Sequence, residues 1–114
     1  MTDCLFCGII DGNIKAEIVY RDESVIAFKD IVPRAPVHIL IIPIAHIPML
    51  SDLMPDDDKI VAAVFRVAGK LAEQFGVAQS GYRVVVNCGV DAGQTVFHLH
   101  YHLLGGRQMS WPPG

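Results

Sequence analysis

Three histidines stand at alternate positions in the run Phe97-His98-Leu99-His100-Tyr101-His102-Leu103-Leu104. The alternation predicts a strand over residues 97–104, because successive side chains of a strand point to opposite faces. His98, His100 and His102 would then share one face, with their roots roughly 6–7 Å apart, a spacing that suits a phosphate group. Two alternatives stay open at this point. One is an exposed polar strand face, and the other is a zinc hydrolase in which His-x-His chelates the metal.

The loop before the histidines has the composition of an anion site. Gly89 and Gly93 are followed by Gln94 and Thr95. The backbone N–H groups of such a loop and the Thr95 hydroxyl can bind a phosphate. An anion loop that leads into a row of histidines favours phosphate chemistry over peptide hydrolysis.

The segment 93–104 closely resembles the signature of the histidine triad (HIT) family of nucleotide-binding proteins. The resemblance extends over nearly the whole chain, including the segments 5–10, 28–31 and 35–38. The C-terminal run 105–114 is similar to the Hint branch in particular. This resemblance implies an α+β, HIT-like fold that forms a single HIT domain over residues 1–114.

The resemblance also implies a hydrolase that cleaves purine nucleoside 5′-phosphoramidates through a nucleotidyl-histidine intermediate. His100 would be the nucleophile, since a neutral imidazole is a good nucleophile near pH 7. His102 would assist the leaving group, His38 would complete a proton relay, and His98 would be the remaining member of the triad. No organic cofactor is expected. The alternatives are a dinucleoside polyphosphate hydrolase and a nucleotide-binding interaction module with incidental turnover.

By the same resemblance, Asp30 would accept hydrogen bonds from the ribose hydroxyls of an AMP or GMP derivative. The residues that would wall an apolar slot for the purine are Leu5, Phe6, Ile9, Ile14, Phe28 and Ile31. The residues that would line the phosphate and leaving-group end are Asn87, Gly93, Gln94 and Thr95.

Cys4 and Cys7 form a Cys-x₂-Cys pair, the commonest thiolate half of a structural zinc site. Resemblance to bacterial HIT proteins implies that His46 and His98 supply the other two ligands. Four protein ligands leave no open coordination position, so the zinc would be structural. Cys88 has no partner in this scheme and is expected to be an inert buried thiol.

Five strands with short connections are predicted to position these residues in an antiparallel meander. A hairpin comes first, and a continuous β-branched run after it suits a central strand buried on both faces. The predicted strands cover residues 17–21, 25–28, 37–42, 82–87 and 97–104.

One long helix of about 20 residues is predicted to begin at Pro55 and to end before Gly76. A proline followed by three acids suits a first helical turn, and apolar residues then recur at intervals of three and four. A shorter helix is predicted near residues 7–11. The architecture is therefore a sheet with one dominant helix on one face, plus a short N-terminal helix.

The composition is unusually apolar for a chain of 114 residues, with 52% hydrophobic and 18% charged residues. The mean hydropathy is +0.39. The best apolar run, 39–45, has seven residues and contains a proline, whereas a membrane span needs about 20. The N-terminus lacks the features of a signal peptide, so no membrane partner is expected. A net charge of −3 argues against nucleic acid, and three cysteines without a secretory signal indicate a cytoplasmic protein.

The surplus of apolar residues predicts a homodimer. The long helix has more apolar positions than one sheet-facing stripe requires. These positions are Ile60, Val61, Val64, Phe65, Val67, Ala68 and Leu71. The resemblance implies pairing through this helix and the sheet edge.

Overall fold

The computed structural model describes residues 4–114, so the first three residues of the N-terminus considered above lie outside the described residues. The helices are α1 (Leu5–Ile10) and α2 (Asp58–Gln74). The strands are β1 (Ile18–Arg21), β2 (Val25–Lys29), β3 (Val37–Pro43), β4 (Tyr82–Val86) and β5 (Tyr101–Gly105). No helix in this part of the chain is long and apolar enough to cross a membrane.

The five strands form one antiparallel sheet in the order β1-β2-β3-β5-β4. The α+β prediction is confirmed, and the meander holds for the first three strands only. The last two strands exchange places, because β5 pairs with both β3 and β4. Burial explains the exchange: β5 alternates buried and half-buried residues, whereas β4 begins exposed and stays half-buried, as suits an edge strand.

The strand predicted over residues 97–104 is wrong in its first half, since β5 begins at Tyr101. The register of β5 on β3 pairs Tyr101 with Ile41, so a longer strand would bring Leu99 opposite Pro43. A proline has no N–H to donate to a sheet ladder. The backbone N–H of Leu99 instead bonds the carbonyl of Ile47 at 2.6 Å. His98 and His100 therefore lie on an irregular segment that leads into the strand.

The long helix begins with a 3₁₀ turn, Pro55–Asp57, and continues as α2. The Asp57 carboxylate accepts a hydrogen bond from the backbone N–H of Met54 at 2.9 Å. Gly76, with φ of +76°, ends the helix as predicted, because this left-handed conformation favours glycine. The helix residues that are buried are Ala63, Val64, Val67, Ala68, Leu71 and Ala72.

The sheet separates two apolar clusters. The larger cluster lies between the sheet and α2, and includes Ile39, Ile41 and Leu103. The smaller cluster lies under α1 and consists of Phe6, Ile9, Ile26, Phe28, Leu40 and Ile42. Each such side chain contributes roughly 2 kcal/mol when it is fully buried. Because strand residues alternate, the α1 side also carries His38 and His102, and the apolar cluster there gives them a rigid support.

Tyr101 lies on the α2 side of β5, two per cent exposed, and its ring packs edge-on against Phe65 at 5.6 Å. Among residues 4–114 its hydroxyl is the buried side-chain polar atom that has no hydrogen-bond partner. Phe65 itself is 51% exposed on the outer side of α2. The helix therefore presents an apolar surface beyond the stripe that covers the sheet.

Candidate active site

Three imidazoles meet where β3 and β5 lie side by side. The His100 and His102 rings have centroids 5.1 Å apart, and those of His38 and His102 are 5.2 Å apart. His38 comes from the start of β3, while His102 comes from the neighbouring strand and His100 from the segment just before it. The structure therefore brings together His38, His100 and His102, 64 residues apart at the extremes, at one point of the sheet.

The backbone fixes the proton positions of His38 and His102. The N–H of Arg34 donates to Nδ1 of His38 at 3.0 Å, so in the neutral ring the proton of His38 lies on Nε2. That Nε2 is 2.9 Å from Nδ1 of His102 and 3.4 Å from a carboxylate oxygen of Asp30. His38 thus donates to His102, and His102 carries its own proton on Nε2.

A carbonyl fixes the tautomer of His100 in the same way. Nδ1 of His100 lies 2.8 Å from the backbone oxygen of His98, which can only accept. Nδ1 therefore bears the proton, and the lone pair of the neutral ring lies on Nε2. His100 is buried, with 8% of its surface exposed. Nε2 is therefore the ring atom of His100 that is available to act as a nucleophile or as a ligand.

Burial keeps two of these imidazoles uncharged. Burial, together with the neighbouring His100 and His38, lowers the pKa of His102 to about 4, although the Asp30 carboxylate opposes the shift. Burial also lowers the pKa of His38 below its ordinary value, and Asp30 opposes the shift. At neutral pH the pair is therefore a hydrogen-bonded unit of two neutral rings.

The side chain of His98 belongs to a different group. Its Nε2 lies 2.8 Å from the carbonyl oxygen of Pro43, so the proton lies there and the lone pair of Nδ1 faces the two thiols. Burial lowers the pKa of His98. Both ring nitrogens are thus engaged, and His98 reaches the imidazole cluster only through its backbone carbonyl.

Cys4, Cys7, His46 and His98 form a group that could hold a metal ion, with one ligand atom from each residue within 4.8 Å of all the others. The Nδ1 atoms of His46 and His98 are 3.2 Å apart, which is one edge of the polyhedron that the four ligand atoms form. The sulfur–nitrogen edges are 3.4 Å for Cys4–His98, 3.3 Å for Cys7–His46 and 3.6 Å for Cys7–His98.

These edges fit a tetrahedral ion. With metal–nitrogen and metal–sulfur bonds of ordinary zinc length, the nitrogen–nitrogen and sulfur–nitrogen edges are roughly 3.3 and 3.6 Å. Two thiols and two imidazole lone pairs are also the donor set that zinc prefers. Without a cation, burial and the adjacent Cys4 thiol raise the pKa of Cys7 to about 11, so a bound ion would supply the charge that stabilises the thiolate.

The predicted purine-slot residues fall into two sets. Phe6, Ile9 and Phe28 are buried in the cluster under α1, whereas Leu5, Ile14 and Ile31 are 46%, 39% and 91% exposed. The Phe6 ring makes edge-on contacts with His100 at 5.1 Å and with Phe28 at 5.4 Å. Phe6 therefore lies directly against His100, and Phe28 packs against Phe6.

Asp30 lies between two partners at the edge of the imidazole cluster. One carboxylate oxygen accepts from the backbone N–H of Val32 at 2.8 Å, and the other lies near His38. This arrangement orders the turn that carries the exposed Ile31.

The predicted anion loop is braced from within. The Gln94 amide accepts from the N–H of Gly89 at 2.9 Å and donates to the carbonyls of Pro48 and Val96. All of its hydrogen-bonding groups are thus used. Because Gln94 is also only 4% exposed, its role is to stabilise the loop. The Asn87 amide donates to the carbonyl of Ala92 at 2.8 Å. Gly93, with φ of +88°, turns the chain toward the exposed Thr95. The N–H groups of Gly93 and Gln94 donate to the carbonyls of Val90 and Gly89, so Thr95 is the predicted anion donor that these bonds leave available.

Sequence reasoning missed three backbone groups: the N–H of Arg34 and the carbonyls of Pro43 and His98. They select the tautomers of three histidines, and no side-chain pattern signals a backbone partner. The prediction that Cys88 is an inert buried thiol is also wrong, because the residue is only half-buried. Its sulfur lies 3.2 Å from the Ser51 hydroxyl, and this hydrogen bond lowers the pKa of Cys88.

Known proteins are similar to this chain in sequence and in fold. A model of the HIT domain matches residues 11–109. The purine nucleoside phosphoramidase of Escherichia coli K12 is 45% identical over 107 residues, which cover 94% of this chain and 90% of that protein. A HIT-like protein of Synechocystis is 46% identical over 112 residues, covering 98% and 97%. A HIT family hydrolase from Legionella pneumophila has a TM-score of 0.96 and 49% identity, covering 98% of this chain and all of that one.

The chain therefore belongs to the HIT family. More particularly, it is a HIT-family hydrolase. Its relatives include hydrolases, and its site has a hydrogen-bonded pair of imidazoles beside a nitrogen that is available to attack.

Proposed function

We propose that the protein hydrolyses purine nucleoside 5′-phosphoramidates through a covalent nucleotidyl intermediate on His100. The observation that carries the proposal is the fixed tautomer of His100, whose Nδ1–H is held by a carbonyl while Nε2 is left as the one atom that can attack. The E. coli relative, named for this activity, supports the choice of substrate.

In the first step, Nε2 of His100 attacks the α-phosphorus while the bond from phosphorus to the amine nitrogen breaks. The negative phosphate favours one additional proton on the His38–His102 pair, which makes it cationic, and the Asp30 carboxylate 3.4 Å from His38 supports that charge. The proton on Nε2 of His102 passes to the departing nitrogen, so the amine leaves uncharged.

In the second step, a water oxygen bonds to phosphorus and the bond from phosphorus to Nε2 of His100 breaks. The water proton goes to His102, which restores the pair for release of the nucleoside monophosphate. The net change adds one water across the P–N bond, and each step needs only one proton transfer through His102.

The purine moiety, as in AMP or GMP, would lie against the apolar residues near α1, with Asp30 toward the ribose. Phe6 and Phe28 supply a buried apolar wall beside His100, and Ile31, almost fully exposed, can cover the base from outside. The exposed Thr95 would bind a phosphate oxygen through its hydroxyl.

We further propose that the Cys4–Cys7–His46–His98 group holds zinc in a structural role. The four donors would complete the tetrahedron, so no position is left for substrate. When bound, the ion would supply a fixed cross-link between the N-terminal segment and the histidine segment. Three free thiols suit a reducing compartment, which supports a cytoplasmic location.

We propose that the protein is a homodimer, paired through α2 and the open edge of β4. Phe65 is 51% exposed on α2 and Tyr82 is 40% exposed on β4, which is the last strand at its side of the sheet. Sedimentation equilibrium tests the assignment: Phe65→Glu should convert a dimer to a monomer, and a monomeric wild-type protein would refute it.

The catalytic proposal is tested by comparing an adenosine 5′-phosphoramidate with a diadenosine polyphosphate. The phosphoramidate should be cleaved faster, and His100→Ala should lower kcat/KM roughly 10⁴-fold or more while leaving the protein folded. Faster cleavage of the polyphosphate would favour a dinucleoside polyphosphate hydrolase. Hydrolysis that survives His100→Ala would remove the nucleophile assignment, and nucleotide binding without turnover would favour an interaction module.

A further inference from the structure

We infer that the Cys4–Cys7–His46–His98 group is a positioning device for His100. A metal ion bound there holds the two groups that fix the His100 imidazole, which are the carbonyl of His98 and the ring of Phe6. The inference rests on the proposed role of His100 and goes beyond a purely structural role for the ion.

The first link is His98, which joins the two groups through one residue. Its imidazole faces the thiols, with Nδ1 3.4 Å from the Cys4 sulfur, and its backbone oxygen accepts the Nδ1–H of His100 at 2.8 Å. This segment lies outside the sheet, and its peptide group is held by the Leu99 N–H, which donates to the carbonyl of Ile47, the residue after His46. The carbonyl of Pro43 fixes the His98 ring on one side, and a metal ion bound to Nδ1 would fix it on the other.

The second link is Phe6, which lies between the two cysteines in the sequence. Its ring packs edge-on against His100 at 5.1 Å, with the planes at 88°, and against His98 at 6.0 Å. A ring in this position restricts rotation of the His100 imidazole away from its carbonyl partner. Two sulfurs bound to one ion would fix the turn that carries this ring.

The helix that carries Phe6 is too short to be stable without tertiary contacts. Helix α1 has six residues, and isolated helices of that length do not form in water. Its first turn is capped by the Cys4 sulfur, which accepts from the N–H of Cys7 at 3.3 Å. The same sulfur is a ligand atom, so metal binding and the start of α1 depend on one side chain.

His46 allows the test, because it is exposed and its ring contacts are with Cys7 and His98. The protein is labelled with ¹⁵N-histidine, and the hydrogen-exchange rate of the His100 Nδ1–H is measured by NMR with and without zinc chloride. Exchange should be about tenfold slower in the zinc-loaded protein, since exchange reports local opening. His46→Ala should exchange like the metal-free protein at one equivalent of zinc and should recover in excess zinc.

Two pairs of variants separate the links. Cys88→Ser, which changes the cysteine outside the group, should keep both zinc and the slow exchange, whereas Cys7→Ser should lose both. Phe6→Ala should speed exchange about tenfold at unchanged zinc content. Ile9→Ala, an equally buried truncation on the same helix, should not.

Equal exchange rates with and without zinc, or in Phe6→Ala and Ile9→Ala, would overturn the inference. Circular dichroism shows whether metal-free protein is folded; if it is not, the Phe6 and Ile9 variants in zinc-loaded protein decide. Exchange that follows zinc in a protein that cleaves no phosphoramidate would overturn the proposed function and leave the positioning role intact.

Discussion

Two groups of metal-ligand residue types lie close together, and only one of them is arranged for a metal. Cys4, Cys7, His46 and His98 place four ligand atoms within 4.8 Å of one another, with 3.2 Å between the two imidazole nitrogens. Asp30, His38 and His102 also gather within 4.8 Å. There the two nitrogens are 2.9 Å apart, closer than the roughly 3.3 Å edge of a tetrahedral site, and one of them carries a proton.

The difference comes from the backbone. In His98 the carbonyl of Pro43 takes the Nε2 proton, which leaves Nδ1 free for a cation. In His38 the N–H of Arg34 occupies Nδ1, which places a proton on Nε2 between two rings. The same residue type thus offers a lone pair to the thiol group in one place and an N–H to a neighbouring ring in the other, according to which ring nitrogen the main chain engages.

The strongest test of this contrast is removal of one thiol. Cys7→Ser should abolish tight zinc binding and lower the free energy of unfolding by about 4 kcal/mol when free zinc is roughly 1,000 times its Kd. The measurement is urea unfolding with metal analysis of the same sample. Cys88→Ser is the matched control and should change neither quantity. A Cys7→Ser protein with full metal content would show that the group is not the ligand set.

A smaller effect is expected at the proton-carrying group. The folded-state pKa of His102, about 4, lies below its ordinary value of 6.5, so between these values the unfolded chain binds more protons. Stability should therefore be fully present above about pH 6.5 and decline as pH falls toward 4. His102→Gln should reduce that decline by about 1 kcal/mol, after allowance for solvent screening of a half-buried ring. Equal slopes of unfolding free energy against pH in both proteins would contradict the burial of a neutral His102.

The smallest effect is expected one residue earlier, on the opposite face of β5. Polar side chains on the histidine face are paired, whereas the Tyr101 hydroxyl, whose pKa burial raises, has no partner in the described chain. Tyr101→Phe should raise the free energy of unfolding by up to about 1 kcal/mol, because an unpaired buried hydroxyl is removed. Thermal unfolding of the two proteins measures it, and a lower Tm for the variant would mean that the hydroxyl has a partner in solution.

Local patterns predicted most elements of this fold. The β-branched run became β3 and the three-and-four spacing became α2, because each depends on which residues must face a core. The order of β4 and β5 was not predictable in the same way, since pairing between distant strands leaves no local signature. The start of β5 depends on Pro43, a residue on another strand that cannot continue the ladder.

The residue types that gather at the site were predictable from the sequence, whereas for His98 and Gln94 the geometry depends on partners that the sequence does not show. His98 was predicted both as a catalytic residue and as a ligand, and only the position of the Pro43 carbonyl distinguishes these uses. Gln94 was predicted at the phosphate end, but its amide is consumed by three backbone groups of its own loop. In both cases the deciding partner is a main-chain atom, whose position follows from the folded structure alone.

The place of β5 in the sheet has a kinetic consequence. This strand follows both of its neighbours along the chain, yet it lies between them, so β4 joins the sheet only through β5. Closing the loop back to β3 spans more than half the chain, and such long-range closure is slow compared with forming the β1–β2 hairpin. On a growing chain, the hairpin, β3 and α2 can assemble early, and the imidazole cluster forms in the same late event that completes the sheet.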